Sequence, residues 1–168
     1  MKLRLALALI TAALATTACK DESASLLLDG PHHALTLNIR LPWPWSKEFE
    51  LEAIMARMPD CQRRSRLDNA PLGDVHVEVF RPPEDTYAEP ILIARQGATS
   101  YAVSEKSCEL QRFKESPKDP GVKLGTFSIE GGALKFTPAP ALPPTPTATP
   151  SVAPAPVSAP TSAPANPG

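Results

Sequence analysis

Strict alternation of apolar and polar residues is the feature that most constrains the fold of this chain. Residues 34–41 read ALTLNIRL, which places Leu35, Leu37 and Ile39 on one side and polar residues on the other. Successive side chains of a β-strand point to opposite faces, so a period of two residues indicates a half-buried strand. Residues 74–80 (DVHVEVF) alternate in the same way, and prolines follow and end both segments. Each segment is therefore expected to bury one face in a β-structure.

Glycine-containing turns predict that further strands pair as antiparallel hairpins. Residues 95–98 (RQGA) and the Gly131-Gly132 pair each lie between two short apolar segments. Glycine reaches positive φ at no steric cost, as the tight turns of hairpins require. The segments joined in this way are residues 91–94 and 99–104, and residues 126–130 and 133–137. We therefore predict an all-β, mainly antiparallel domain over residues 31–137, as a small sandwich or a partly closed barrel.

The segment KEFELEAIMARM, residues 47–58, fits either a helix or a strand. A helix would align Leu51, Ile54 and Met58 on one face. An extended chain would instead place Phe49 and Leu51 opposite the three glutamates with which they alternate. The predicted strands on both sides and the proline that follows favour a strand.

The two ends of the chain have compositions that a packed domain does not have. Residues 1–18 combine Lys2 and Arg4 with a short apolar run and then small residues. This is the pattern of a secretory signal peptide, with an apolar run too short to span a bilayer. Residues 138–168 contain 11 prolines, 8 alanines and no charged residue, which predicts a disordered tail with polyproline II character. We favour a passive spacer over an arm that reaches the cell wall or a partner.

The stretch LATTACK, residues 14–20, resembles the lipobox of bacterial lipoproteins. In that family small residues precede a cysteine that becomes the acylated N-terminus of the mature protein. Thr17 and Ala18 fit the positions before Cys19, whereas Thr16 stands where the family usually has leucine. The resemblance implies a signal peptide over residues 1–18, acyl chains on Cys19 and a lipidated tether. An ordinary secretory peptidase would instead leave a free thiol.

The same resemblance implies a location. Lipoproteins of this type with aspartate after the cysteine tend to stay in the inner membrane, and here that residue is Lys20. We therefore expect the outer membrane, with the protein facing the periplasm and residues 19–30 forming the tether.

Loss of residues 1–18 would change the formal net charge from −1 to −3, which gives no support for a nucleic-acid partner.

The cysteines then separate into one lipid attachment point and one pair. The sequence has three cysteines, and an oxidising envelope favours their pairing. Lipidation of Cys19 leaves Cys61 and Cys108 to form a disulfide. Closing a loop of about 48 residues would stabilise the fold by roughly 4 kcal/mol. Redox catalysis or metal binding would need a nearby second cysteine or further ligands, which the sequence lacks.

Motifs that carry catalysis are missing from the sequence. There is no G-x-S-x-G segment and no glycine-rich phosphate loop. The glutamates of residues 48–52 would share one exposed face and repel one another, without an apolar pocket. The basic segment CQRRSR (residues 61–66) is interpreted as a solvated turn rather than an anion site. We expect no enzymatic activity, no cofactor and no metal, with His32, His33 and His76 facing solvent.

Trp43-Pro44-Trp45 is the one candidate ligand platform. In an extended chain both indoles would face the same way and could stack on a sugar or a peptide. In a domain with few aromatic residues we favour the alternative that Trp43 and Trp45 cap the core.

A second resemblance concerns MPDCQRR, residues 58–64, which is similar to a segment of small proteobacterial lipoproteins of unknown function. Together these features predict a non-enzymatic structural or interaction module, held to the membrane by its lipid and contacting an envelope protein or the cell wall. The alternative is a periplasmic inhibitor or ligand-binding lipoprotein. Metal handling by His32, His33, Met55 and Met58 is a weaker third hypothesis.

Overall fold

The computed structural model describes residues 21–140, which form two antiparallel sheets packed as an open sandwich. The strands of this part of the chain are β1 (Asp21–Leu27), β2 (His33–Arg40), β3 (Glu48–Arg57), β4 (Cys61–Arg66), β5 (Ala70–Pro71), β6 (His76–Arg81), β7 (Ile91–Gln96), β8 (Thr99–Ser104), β9 (Leu110–Arg112), β10 (Val122–Glu130) and β11 (Ala133–Pro138). The first sheet has the order β1-β2-β3-β4, with β5 also paired to β3. The second sheet has the order β11-β10-β6-β7-β8-β9. The all-β prediction is confirmed, and the sandwich is the correct one of its two forms.

The core lies between the two sheets and follows the predicted alternation. On β2, Leu35, Leu37 and Ile39 are buried while the residues between them are partly exposed. The ambiguous segment is a strand, β3, in which Phe49 and Met55 bound a strictly alternating set of buried residues. Because β3 pairs with β2 on one side and with β4 and β5 on the other, its backbone donors and acceptors are used between strands rather than along a helix.

Both predicted hairpins are present. Gln96 pairs with Thr99 across a turn in which Gly97 has φ 57°. Glu130 pairs with Ala133 across Gly131 and Gly132, whose φ values are 62° and 84°. Two consecutive positive φ angles match the twist of the flanking strands, which explains why a Gly-Gly pair stands there.

Two predictions of local structure are wrong. Residues 21–27, which were predicted to belong to the tether, form β1 and pair with β2 along their whole length. Ala24 and Leu26 of this edge strand pack against the core but are only partly buried. Because few side chains of β1 are buried, its apolar alternation is weak. Residues 61–66 form an extended strand, β4, rather than a turn. Its three arginines are exposed, and charged side chains are tolerated on a sheet edge, where they discourage pairing with other chains.

The two open sides of the sandwich are joined in different ways. On one side β1 lies against β11, where the Glu22 carboxylate accepts a hydrogen bond from the Leu134 backbone N–H. On the other side a disulfide links Cys61 of β4 to Cys108 before β9. The Tyr101 hydroxyl accepts a hydrogen bond from the Asp68 backbone N–H at 3.0 Å on that same side. The sheets are thus held together at both margins as well as through the core.

The outer face of the second sheet carries a smaller apolar cluster. Phe80, Ile91 and Ile93 are buried there under Tyr87 and Phe113. This cluster explains why four consecutive residues of β7 are buried instead of alternate ones. Within residues 21–140 there is no helix long and apolar enough to cross a bilayer.

Candidate functional sites at opposite ends of the first sheet

The first sheet has two ends, and each carries a distinct surface. We call the end at which Asp21 pairs with Arg40 the proximal end, and the end at which Leu27 pairs with Ala34 the distal end. The seven residues of β1 separate the two ends by roughly 20 Å at the rise of an extended strand. The proximal end is also where the described chain begins.

The tryptophan pair lies at the proximal end, in the connection from β2 to β3. The two indole rings stack on each other with centroids 5.7 Å apart and planes 10° apart. Trp43 is 60% exposed and Trp45 is 76% exposed. A turn closed by the Ser46 N–H, which donates to the Trp43 carbonyl oxygen at 3.0 Å, holds both side chains outside the sandwich. The interpretation that they cap the core is wrong, because most of the surface of each indole is exposed to solvent.

Leu72 adds to this surface. Its backbone N–H donates to the Lys47 carbonyl oxygen at 3.1 Å, which places it beside the start of β3. Its side chain is 48% exposed. Three of the six exposed large hydrophobic residues found between positions 21 and 140 therefore lie at one end of one sheet: Trp43, Trp45 and Leu72. We call these three residues the proximal patch.

A cleft of about 740 Å³ lies at the distal end. His33 and Arg57 from the first sheet line one wall, and the segment that follows β6 lines the other. The Glu105 carboxylate lies inside, 3.2 Å from Arg81 Nη2 and 3.7 Å from His33 Nε2. The side chains of His33 and Glu105 are only 12% and 13% exposed. Buried His33 Nε2 has no hydrogen-bond partner within the described part of the chain.

His33 therefore differs from the solvent-facing position predicted for it, whereas His32 and His76 are exposed. The sequence did not reveal the cleft, because the segment after β6 has no periodic pattern that would show how it folds over the sheet. The Pro82-Pro83 pair is the only sequence feature that marks the start of this segment.

The residues of the metal hypothesis are not brought together. Met55 is buried in the core, while Met58 is 52% exposed and His32 is exposed. Between residues 21 and 140 no group of three or more His, Cys, Asp or Glu side chains is arranged to hold a metal ion.

The glutamates of β3 are engaged in ion pairs across the sheet. Glu50 Oε2 lies 2.6 Å from Arg40 Nη2, and Glu52 Oε2 lies 3.0 Å from Arg64 Nη1. The hydrogen bond from Arg40 lowers the pKa of Glu50 below its usual value. The expected mutual repulsion is therefore offset by arginines on both neighbouring strands, and these carboxylates form a solvated ionic surface.

The predicted disulfide is confirmed. Cys61 and Cys108 are bonded, with Cα atoms 6.0 Å apart and a sequence separation of 47. Cys19, the predicted lipidation site, lies outside the described residues, as do the signal peptide and the predicted tail from residue 141 onward. The described chain begins two positions after Cys19.

Comparison with protein-family models, curated proteins and solved structures finds no significant match to this chain.

Proposed function

We propose that this chain is a lipoprotein of the bacterial cell envelope, anchored by acyl chains on Cys19 to the outer membrane on its periplasmic side. Its β-sandwich would act as a non-enzymatic interaction module. The observation that carries the proposal is the pairing of the cysteines. Two of the three cysteines in the sequence are joined in the domain, so Cys19 alone remains for a different role. The lipobox-like residues before it fit acylation.

The start of β1 supports a domain held close to its anchor. Asp21 is already paired in the sheet, and a two-residue step spans at most about 7 Å. The predicted tether of residues 19–30 is thereby reduced to its first two residues. A domain attached in this way has little freedom to move away from the bilayer.

The distal cleft is the surface we assign to the partner. It lies at the other end of the sheet from Asp21, so it would face away from the membrane that holds Cys19. Arg57 and Arg81 stand beside Glu105 and Asp85 in its lining, and this mixture of charges fits a polar segment of an envelope protein or a cell-wall peptide.

The alternative of a ligand-binding or inhibitory lipoprotein is favoured by one observation, the size of the same cleft. Its volume of about 740 Å³ falls in the range of small-molecule sites, roughly 300–1,000 Å³. The two functions share the site and differ in whether the occupant is a macromolecule.

Mass spectrometry of the mature protein from a bacterial envelope tests the anchor. We expect an N-terminal Cys19 that carries acyl chains, and a protein that stays with the membrane fraction. A Cys19→Ser variant should carry no acyl mass, whereas the Cys61→Ala, Cys108→Ala double variant should keep its lipid. A mature protein without acyl mass would overturn the proposal.

A further inference from the structure

We propose that the proximal patch inserts into the interfacial region of the same membrane leaflet that holds the acyl chains of Cys19. The inference rests on the proposed function, because it takes Cys19 to be the lipid attachment site. It adds a second contact with the bilayer, made by side chains, which fixes how the domain is turned relative to the membrane.

The proximal patch lies at the end of the domain to which the chain from Cys19 leads. Asp21 pairs with Arg40, and Arg40 stands three positions before Trp43 in the sequence. Adjacent strands lie about 5 Å apart and an extended residue spans about 3.5 Å. The Trp43 backbone therefore lies within roughly 23 Å of Cys19 even if both connecting segments are fully extended. Because Asp21 lies at the proximal end and Cys19 is two positions before it, we place the acyl anchor at the same end as the indoles.

The side chains of the proximal patch are of the kind that favours a membrane interface. Indole rings are apolar with one N–H donor, and tryptophan concentrates at the membrane–water interface for that reason. Trp43 and Trp45 expose more than half of their surface, and the exposed Leu72 stands at the same end. Exposed apolar side chains gathered in one place indicate a contact surface.

The charge around the proximal patch determines whether it is attracted to anionic headgroups. Lys47 and Arg40 are the cations at this end, and the carboxylates of Asp21, Glu48, Glu50 and Asp74 outnumber them. The local charge is negative overall, so attraction to anionic headgroups does not drive the contact. We therefore assign the patch to the headgroup–acyl boundary of zwitterionic phospholipids.

The arrangement of the two indoles favours insertion into a membrane over stacking on a glycan. The rings stack with nearly parallel planes, so each uses part of one face on the other. A sugar platform presents open, unshared ring faces to its ligand, whereas insertion at an interface needs only a fixed apolar projection. The turn at Ser46 and the flanking prolines hold that projection in place before binding.

Tryptophan fluorescence tests the proposal directly, because Trp43 and Trp45 are the only tryptophans of the chain. The acylated full-length mature protein is reconstituted into phosphatidylcholine vesicles with bromine at shallow or at deep positions of the acyl chain. We expect at least twofold quenching by the shallow bromines, weaker quenching by the deep ones and protection from aqueous iodide.

Two variants provide the controls. Leu72→Gln should reduce the quenching while the protein remains bound to the vesicles through its lipid. Leu27→Gln changes a leucine at the distal end that is 61% exposed, more than Leu72, and should leave the quenching unchanged. Far-UV circular dichroism and the melting temperature check that both variants fold as the parent protein does.

The outcomes separate this inference from the proposed function. An acylated protein that sediments with the vesicles but shows no bromine quenching overturns the inference and leaves the lipoprotein assignment intact. A mature protein without acyl mass overturns both. If soluble peptidoglycan fragments shift the emission of the acylated protein and bromolipids do not, the patch is a glycan platform and the inference is wrong.

Discussion

Glu78 on β6 and Lys123 on β10 show how the exposed faces of this sandwich are stabilised. Lys123 Nζ lies 2.6 Å from Glu78 Oε1, and His76 Nε2 lies 3.9 Å from the same oxygen. The hydrogen bond from Lys123 is the main reason why the pKa of Glu78 is lowered. Folding therefore favours the ionised carboxylate, and the interaction contributes to stability only where that form persists.

The Lys123→Met variant should lose this contribution in a pH-dependent way. A lowered pKa in the folded state stabilises above the unfolded value, about 4.3 for glutamate, and this stabilisation is lost as pH falls through the folded value. The lysine side chain is 39% exposed, so the loss at pH 7 should not exceed about 1 kcal/mol. Urea unfolding at pH 7 and at pH 3 measures it, and the difference from the parent protein should shrink at the lower pH.

Lys118→Met is the matched control, because exposed Lys118 has no salt-bridge partner among residues 21–140. It should leave the unfolding free energy unchanged at both pH values. A Lys123→Met deficit that stays constant between pH 7 and pH 3 would contradict the assignment to Glu78.

Single residues also show where the sequence stops being informative. Alternation predicted which side of each strand the glutamates occupy, but not that Arg40 and Arg64 would face them, since partners depend on strand register. Trp43 and Trp45 are exposed because the turn closed by Ser46 holds them outside the sandwich. Alternation within the strands gives no information about the conformation of that connection.

At the scale of elements, strands buried along one face were predictable and polar edge strands were not. The segments that became β2, β6, β8 and β11 carried clear alternation or followed glycine turns. By contrast β1, β4, β5 and β9 were missed, because edge and very short strands need few buried side chains. DESASLL and CQRRSR contain too little apolar alternation to indicate a strand, although their backbones complete the first sheet.

The disulfide joins two such missed elements and should contribute strongly to stability. Cys61 lies on edge strand β4, and Cys108 precedes the short strand β9. For a sequence separation of 47, the chain-entropy relation gives about 4 kcal/mol for the bond. The Cys61→Ala, Cys108→Ala double variant should lose roughly this amount of unfolding free energy, measured by urea denaturation in a Cys19→Ser background.

Reduction of the Cys19→Ser protein that keeps both cysteines serves as the comparison. It should destabilise the domain by a similar amount without any substitution at the bridge. A loss below about 1 kcal/mol in both experiments would show that the hydrogen bonds around Asp68 close this side of the sandwich without the covalent link.

At the scale of the whole molecule, the two candidate surfaces lie at opposite ends of one sheet. The proximal patch stands beside the start of β1, and the cleft with His33 and Glu105 stands at the distal end. An anchor on Cys19 would turn the first surface to the bilayer and the second toward the periplasm. In that orientation, a partner would reach the cleft from the periplasmic side of the domain.

A photo-reactive amino acid at Glu84, on the rim of the cleft, should crosslink to an envelope protein or to cell-wall peptide in intact cells. Lys135 on β11 is also exposed but lies outside the cleft, and the same substitution there should give little product. The yields are compared by immunoblot and mass spectrometry. Equal yields at the two positions, or a higher yield at Lys135, would contradict the role assigned to the cleft.

The last strand has a consequence for whatever follows it in the chain. β11 begins near Glu22, through the bond to Leu134, and ends at Pro138, which pairs with Gly125. Further along the same strand β10, Val122 pairs with Arg81 of the cleft. β1 and β11 thus lie on the same open side of the sandwich, and the chain leaves β11 farther toward the distal end than the point at which it enters β1. An anchor on Cys19 would place Pro138, where β11 ends, above the lipid headgroups by part of the length of the sheet.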